Sequence, residues 1–191
     1  MDRRGTRWAR RAVVGAVGAA LVTGTLTACS GDGPAAGTQR IETGWLRVDV
    51  PADWVAAGPV SDIYTESYQD APGDDATVQL ALAPEYGFFT ASMGVARAMA
   101  TLQVSGRTGF HRIDAIDADD TSLRDHIAFS YTGDDGQEYE GVLWGVADED
   151  QHVALLQLTG QHLDQDLIVD IDRSIVVDGK GATTKESSGA A

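Results

Sequence analysis

The stretch WLRVDVPADW, from Trp45 to Trp54, decides how this chain is read. It alternates strictly, with Leu46, Val48 and Val50 facing one way and Trp45, Arg47 and Asp49 the other. A period of two marks a half-buried strand. Pro51 ends it, because proline has no N–H to give to a ladder.

Working outward toward the C-terminus, the same period returns several times. Val60 to Tyr68 is a weaker strand, 70–75 (DAPGDD) a turn, and Thr77 to Ala83 alternates through Val78, Leu80 and Leu82. The period then changes. Phe88, Val95, Met99 and Leu102, broadened by Phe89, Ala96 and Ala100, predict an amphipathic helix over 88–105. Gly94 weakens that helix and Gly106 is placed to stop it.

Gly109 to Ile116 returns to strand character, and three strands follow as a meander. In the first, Leu123, Asp125, Ile127, Phe129 and Tyr131 share a face, opposite Arg124, His126, Ala128 and Ser130. Turns at 133–136 (GDDG) and 148–150 (DED) separate it from Glu138 to Ala147 and from the apolar run Val153 to Thr159. Leu163, Leu167, Ile168, Ile171 and Ile175 recur at helical spacing, with Asp164 and Asp166 at the start and Arg173 near the end, where the helix dipole favours each. Strands, a long helix, a meander and a closing helix point to an α+β fold, an antiparallel sheet flanked by helices.

Toward the N-terminus the chain changes character. Arginines at positions 3, 4, 7, 10 and 11 precede an apolar block, Ala12 to Leu26, which is too short and too rich in glycine and alanine to be read as a spanning helix. A charged start, a short apolar region and small residues before a cut describe an export signal. The block closes on Leu26-Thr27-Ala28-Cys29, and Cys29 is the single cysteine of the chain, so no internal disulfide is expected. That tetrapeptide resembles the lipobox of bacterial lipoproteins. The resemblance implies removal of residues 1–28 and lipid, palmitate included, on Cys29. Lipid stabilises membrane association by about 0.8 kcal/mol per buried methylene, so two or three chains hold firmly. The pair Arg10-Arg11 lacks the usual neighbours of a twin-arginine signal, so general secretion is the expected route.

Residues 29–41, rich in glycine and small polar side chains, read as a flexible tether with a reach of about 20 Å. The folded domain is expected over 42–177, and 178–191 is expected to be a disordered tail. Residues 1–28 hold five arginines and one acid, so from Cys29 onward 9 basic residues face 28 acidic ones, a net −19. A body that acidic repels nucleic-acid backbones and anionic headgroups, which leaves membrane attachment to Cys29.

With the opening Trp45, Val48, Val50, Pro51 and Trp54, the mid-chain helix, the meander with acidic turns and the terminal helix, residues 42–177 resemble the Mog1/PsbP-like domain of small actinobacterial lipoproteins. The resemblance implies an α/β/α sandwich and a non-enzymatic role in binding or assembly. It carries no catalytic residues, metal or cofactor over to this sequence.

The residues themselves show no familiar catalytic signature. His111, His126, His152 and His162 are scattered outside metal-pair spacing, and His126 is expected on a solvated strand face. The acidic groups Asp114, Asp117, Asp119 and Asp120, then Asp134-Asp135, then Asp148-Glu149-Asp150 read as solvated turns, with a weak cation site as the other reading. Trp45 and Trp54 invite a partner surface, against a reading in which helices cover both. The expected function is a lipid-anchored, extracytoplasmic, non-enzymatic binding or assembly module of the cell envelope. Its partner would be an envelope protein or a small ligand. The alternative is an envelope hydrolase using a loop carboxylate pair such as Asp117 and Asp120.

Overall fold

Among the described residues, ten strands and two α-helices follow one another in chain order: β1 (Thr38–Thr43), β2 (Leu46–Pro51), β3 (Val55–Ala56), β4 (Glu66–Gln69), β5 (Val78–Phe88), α1 (Ala91–Val104), β6 (Thr108–Ile113), β7 (Arg124–Thr132), β8 (Glu138–Ala147), β9 (His152–Gly160), α2 (Gln165–Ser174) and β10 (Val176–Val177). The computed structural model describes residues 33–104, 108–113 and 123–180. All of them fall in Asp32–Ala191, one of the two units into which the chain divides. The other, Met1–Gly31, lies outside the described residues, and with it the expected leader and Cys29.

The strands form a seven-stranded sheet in the order β3-β4-β5-β9-β8-β7-β6 and a three-stranded sheet in the order β1-β2-β10. Every pairing is antiparallel. The apolar run of β9 sits at the centre, as its composition requires, with Val153, Leu155, Leu156 and Leu158 fully buried. Both faces of the large sheet are covered. One apolar cluster joins Val95, Met99 and Leu102 of α1 to Phe129, Leu143 and Leu155. The other joins Leu46, Val48 and Val50 of β2, and Ile168 and Ile171 of α2, to Leu80, Trp144 and Leu156. The antiparallel sheet flanked by helices is therefore present, with the small sheet adding to the α2 layer.

Three expectations are corrected here. Residues 38–41, read as tether, are paired strand: the whole of β1 is in register with β2, from Thr38 opposite Pro51 to Thr43 opposite Leu46. The long helix starts at Ala91, because β5 runs on past a bulge between Ala83 and Gly87 and keeps Phe88 opposite His152. Gly94 is no weak point but a contact. A side chain there would come within 3.1 Å of Val153, so the glycine lets α1 lie close on β9.

The closing helix begins as expected. The Asp164 carboxylate accepts from the Asp166 N–H at 2.7 Å and caps the first turn. Its other end is held by Arg124, which donates to the Asp172 carbonyl at 2.8 Å, to the Asp172 carboxylate at 3.1 Å, and to the Ile175 carbonyl. A cation thus adds donors at the carbonyl end of the helix, where the Asp172 carbonyl also accepts from the Ile175 N–H at 3.3 Å. Among the described residues no helix is long and apolar enough to cross a membrane.

Candidate functional site

At one end of the large sheet two turns and the bulged end of β5 bring together Trp45, Phe88, His152 and the acids of the 148–150 run. Trp45 stands in the two-residue connection between β1 and β2, behind Gly44. Gly44 has φ +52°, and a side chain on it would meet Glu85 at 2.7 Å, so position 44 must be glycine for this turn to close. Phe88 is the last residue of β5, delivered by the bulge. His152 opens β9 after the four-residue turn 148–151.

The rings pack against one another. Trp45 meets His152 at 4.7 Å and Phe88 at 5.1 Å between centroids, both edge-on, and Phe88 lies 4.9 Å from His152. Phe88 is nonetheless 67% exposed. An aromatic held firmly but left wet is a costly thing for a fold to keep without use.

Asp148 fixes the imidazole. Its Oδ2 accepts from His152 Nδ1 at 2.7 Å and from the Gly179 N–H at 2.8 Å. Its Oδ1 accepts from the N–H groups of Asp150 at 3.0 Å and His152 at 2.9 Å. Burial pushes the Asp148 carboxyl up. The backbone donors of His152 and Gly179 and the His152 ring outweigh that, so the group sits below the ordinary carboxylate range. An ionised carboxylate only accepts, so the imidazole donates to it from Nδ1. Gly179 lies against the ring, where a side chain would clash with Nδ1 at 2.0 Å. Gln151 carries the turn at φ +66°, a left-handed conformation that costs a side-chain-bearing residue about 1 kcal/mol.

Asp148, Asp150 and His152 are also the residues that could hold a metal, since one ligand atom from each lies within 4.8 Å of the others. A cation there would compete with the four donors that already satisfy Asp148.

The fate of the other candidates is mixed. Trp54 is core, 7% exposed and packed in the α2-side cluster, so it offers nothing to a partner. Trp45 is half-buried, covered by Phe88 and His152 rather than by a helix. His126 is 5% exposed beside Trp144, in place of the expected solvated position, because the small sheet and α2 cover that face of β7. His111 is exposed and bonded to Ser130, and His162 is exposed. Asp134 and Asp135 are exposed in their turn, as expected. Asp148 is not a merely solvated turn residue. Asp114, Asp117, Asp119 and Asp120, and with them the hydrolase pair, lie outside the described residues, as does Cys29. The first residues of the expected tail are not free of the fold either: Asp178 donates to the Trp45 carbonyl at 2.9 Å, and Gly179 to Asp148.

Sequence reading places Phe88 on the helix stripe and does not find His152 as the partner of Asp148. The four-residue spacing across a hairpin turn was the available signal for the second.

No protein-family profile matches the chain, and no curated protein does. Solved structures do resemble it. The Ran-binding protein Mog1p of Saccharomyces cerevisiae superposes with a TM-score of 0.51 at 12% identity, over 73% of this chain and 95% of its own. Cyanobacterial PsbP (CyanoP) of Synechocystis gives 0.48 at 16% identity, over 81% of this chain and 100% of its own. LpqN of Mycobacterium tuberculosis, described as involved in cell envelope biogenesis, gives 0.43 at 20% identity, over 73% and 91%. The class is therefore settled at the level of architecture: this is an α+β protein with the Mog1/PsbP-like fold. At these identities the likeness speaks to fold alone.

Proposed function

We propose that this chain is a lipid-anchored binding or assembly module at the extracytoplasmic face of the cell membrane. It works without catalysis and meets an envelope protein through the rim formed by Trp45 and Phe88. The observation that carries the reading is Phe88, exposed to solvent yet locked by Trp45 and by an imidazole that Asp148 holds in place. Preorganised aromatics are what protein partners anchor on.

Two further features support it. The His152 ring is boxed by Trp45, Phe88 and Gly179, an arrangement that suits holding aromatics still better than presenting a base to substrate. The chain enters the domain at Thr38, and the rim lies at the other end of the β1–β2 hairpin. Six strand residues span about 20 Å, so a tether fixed at Thr38 leaves the rim free to meet a partner. The anchor rests on Leu26-Thr27-Ala28-Cys29.

The test uses the full chain in cells. A photo-crosslinking residue at position 88 should give one discrete envelope adduct, lost when Trp45→Ala is added, while Cys29→Ser moves the protein out of the membrane fraction. A Cys29→Ser protein that stays with membranes refutes the anchor. A position-88 variant that gives no adduct refutes the rim.

A further inference from the structure

The opposite end of the large sheet holds a second site of different chemistry. A groove of about 490 Å³ lies between the turn before β5 and the β7–β8 hairpin. That is within the range of small-ligand sites. Its floor is a row of polar side chains in register across three neighbouring strands: Gln69 pairs with Gln79, and Gln79 with Thr159. Directly paired residues point to the same face, so the two amides and the hydroxyl stand side by side. All three are half-buried. One wall is aromatic: Tyr131 and Tyr139 stack at 5.4 Å, and the Tyr139 hydroxyl donates to Asp135 at 3.0 Å.

We propose that this groove binds a neutral saccharide. Adjacent amides, a hydroxyl and a carboxylate make paired hydrogen bonds to vicinal sugar hydroxyls, donating and accepting at once. Tyrosine edges offer apolar contact with a polar tip, which suits a sugar's mixed surface. No lysine or arginine is among the described residues that line it, and Asp134 and Asp135 do line it, so a phosphate or carboxylate ligand is repelled. The floor strands β5 and β9 are paired on both sides, so their backbone cannot accept an added peptide strand and recognition must come from side chains.

A second, independent observation lies next to the floor. Gln157 is two residues before Thr159 on the same face of β9, is 7% exposed, and its Oε1 has no hydrogen-bond partner. A buried acceptor without a partner is expensive, and because Gln157 does not itself line the groove, a water held beneath the ligand is what relieves it.

Saturation-transfer difference NMR on the full chain in phosphocholine micelles tests this, with maltotriose and chitotriose as neutral probes and glucose 6-phosphate as the anionic control. The expected result is saturable binding of at least one neutral probe with a Kd of about 1 mM, weakened about tenfold by Gln79→Leu and by Thr159→Val. Phe88→Ala, at the far end of β5, should leave it unchanged. Lack of saturable binding of either neutral probe up to ~20 mM overturns the proposal. So does binding that survives both substitutions, or equal binding of glucose 6-phosphate.

Discussion

Replacing Asp148 by asparagine tests the logic of the rim at a single oxygen. Oδ1 accepts from two backbone N–H groups of its own turn, and a carboxamide oxygen can keep both. Oδ2 accepts from Gly179 N–H at 2.8 Å and His152 Nδ1 at 2.7 Å, and in the variant an NH₂ group faces both. The imidazole can answer by moving its proton to Nε2 and accepting at Nδ1. The Gly179 N–H cannot adapt. Hydrogen bonds to a charged group are worth about 1.5–3 kcal/mol, so one lost bond and one weakened bond should cost about 2 kcal/mol at neutral pH. For a domain of this size that is a fall of about 6 °C in Tm.

The pH dependence sharpens the test. The folded Asp148 carboxyl lies below its ordinary value, so its contribution is fully present above the unfolded value of about 3.9 and fades as pH falls through the folded one. The gap between wild type and Asp148→Asn should therefore be open at pH 7 and pH 5 and narrow progressively as pH falls below about 4. Asp70 is lowered too: burial opposes it, but bonds from Thr77 and Val78 prevail. It is common to both proteins and cancels in the difference. Urea denaturation at pH 7, 5 and 3 measures this. A gap under about 0.5 kcal/mol at pH 7, or one that does not narrow between pH 5 and pH 3, would refute the account of Asp148 as the clamp of His152 and Gly179.

The remaining predictions concern how the fold delivers its elements. Gln151→Gly should raise stability by about 1 kcal/mol by removing the left-handed strain at φ +66°, and a fall in Tm would show that the Gln151 side chain supports the turn. Gly145→Ala places a methyl group 2.7 Å from the Ala91 carbonyl and 2.8 Å from Val95, so α1 must lift and about 2 kcal/mol should be lost by chemical denaturation; an unchanged midpoint refutes that close contact. Arg124→Met keeps the apolar stem but strips the donors from Asp172 and Ile175, and should cost about 2 kcal/mol. Faster hydrogen exchange at the last turn of α2 and at β10 should accompany that loss; unchanged exchange there would separate Arg124 from the helix end.

What the sequence made legible follows from which interactions are local. Alternation in Trp45 to Val50 and the apolar run of β9 are properties of single strands, and both stand where periodicity puts them. Alternation does not say how many faces are covered. It put His126 in solvent because its neighbours Arg124 and Ser130 are polar, yet β1, β2 and α2, remote in the chain, form the layer over that face. The polar segment Thr38–Thr43 gave no signal of its own, since β1 buries Ile41 and owes its order to backbone pairing with β2. Phe88 was ambiguous for a related reason. A bulge between Ala83 and Gly87 shifts the register, so a residue in phase with the helix stripe ends as a strand residue opposite His152.

The rim shows the same limit from the side of function. Its four key residues come from two turns and the bulged end of β5, spread from position 45 to position 152, and each alone reads as an ordinary turn or aromatic residue. Their chemistry exists because the β1–β2 turn, the β5 bulge and the β8–β9 turn end at one place. The C-terminal segment then closes it, through β10 on β2 and Gly179 on Asp148. Residues 178–180 thus belong to the site that the rest of the chain assembles. Truncation after Val177 should loosen His152 and Trp45 together, seen as a partial loss of near-ultraviolet dichroism, with Trp54 and Trp144 still buried, while the far-ultraviolet spectrum is kept. Retention of the aromatic signal would mean that Asp148 holds the imidazole without help from Gly179.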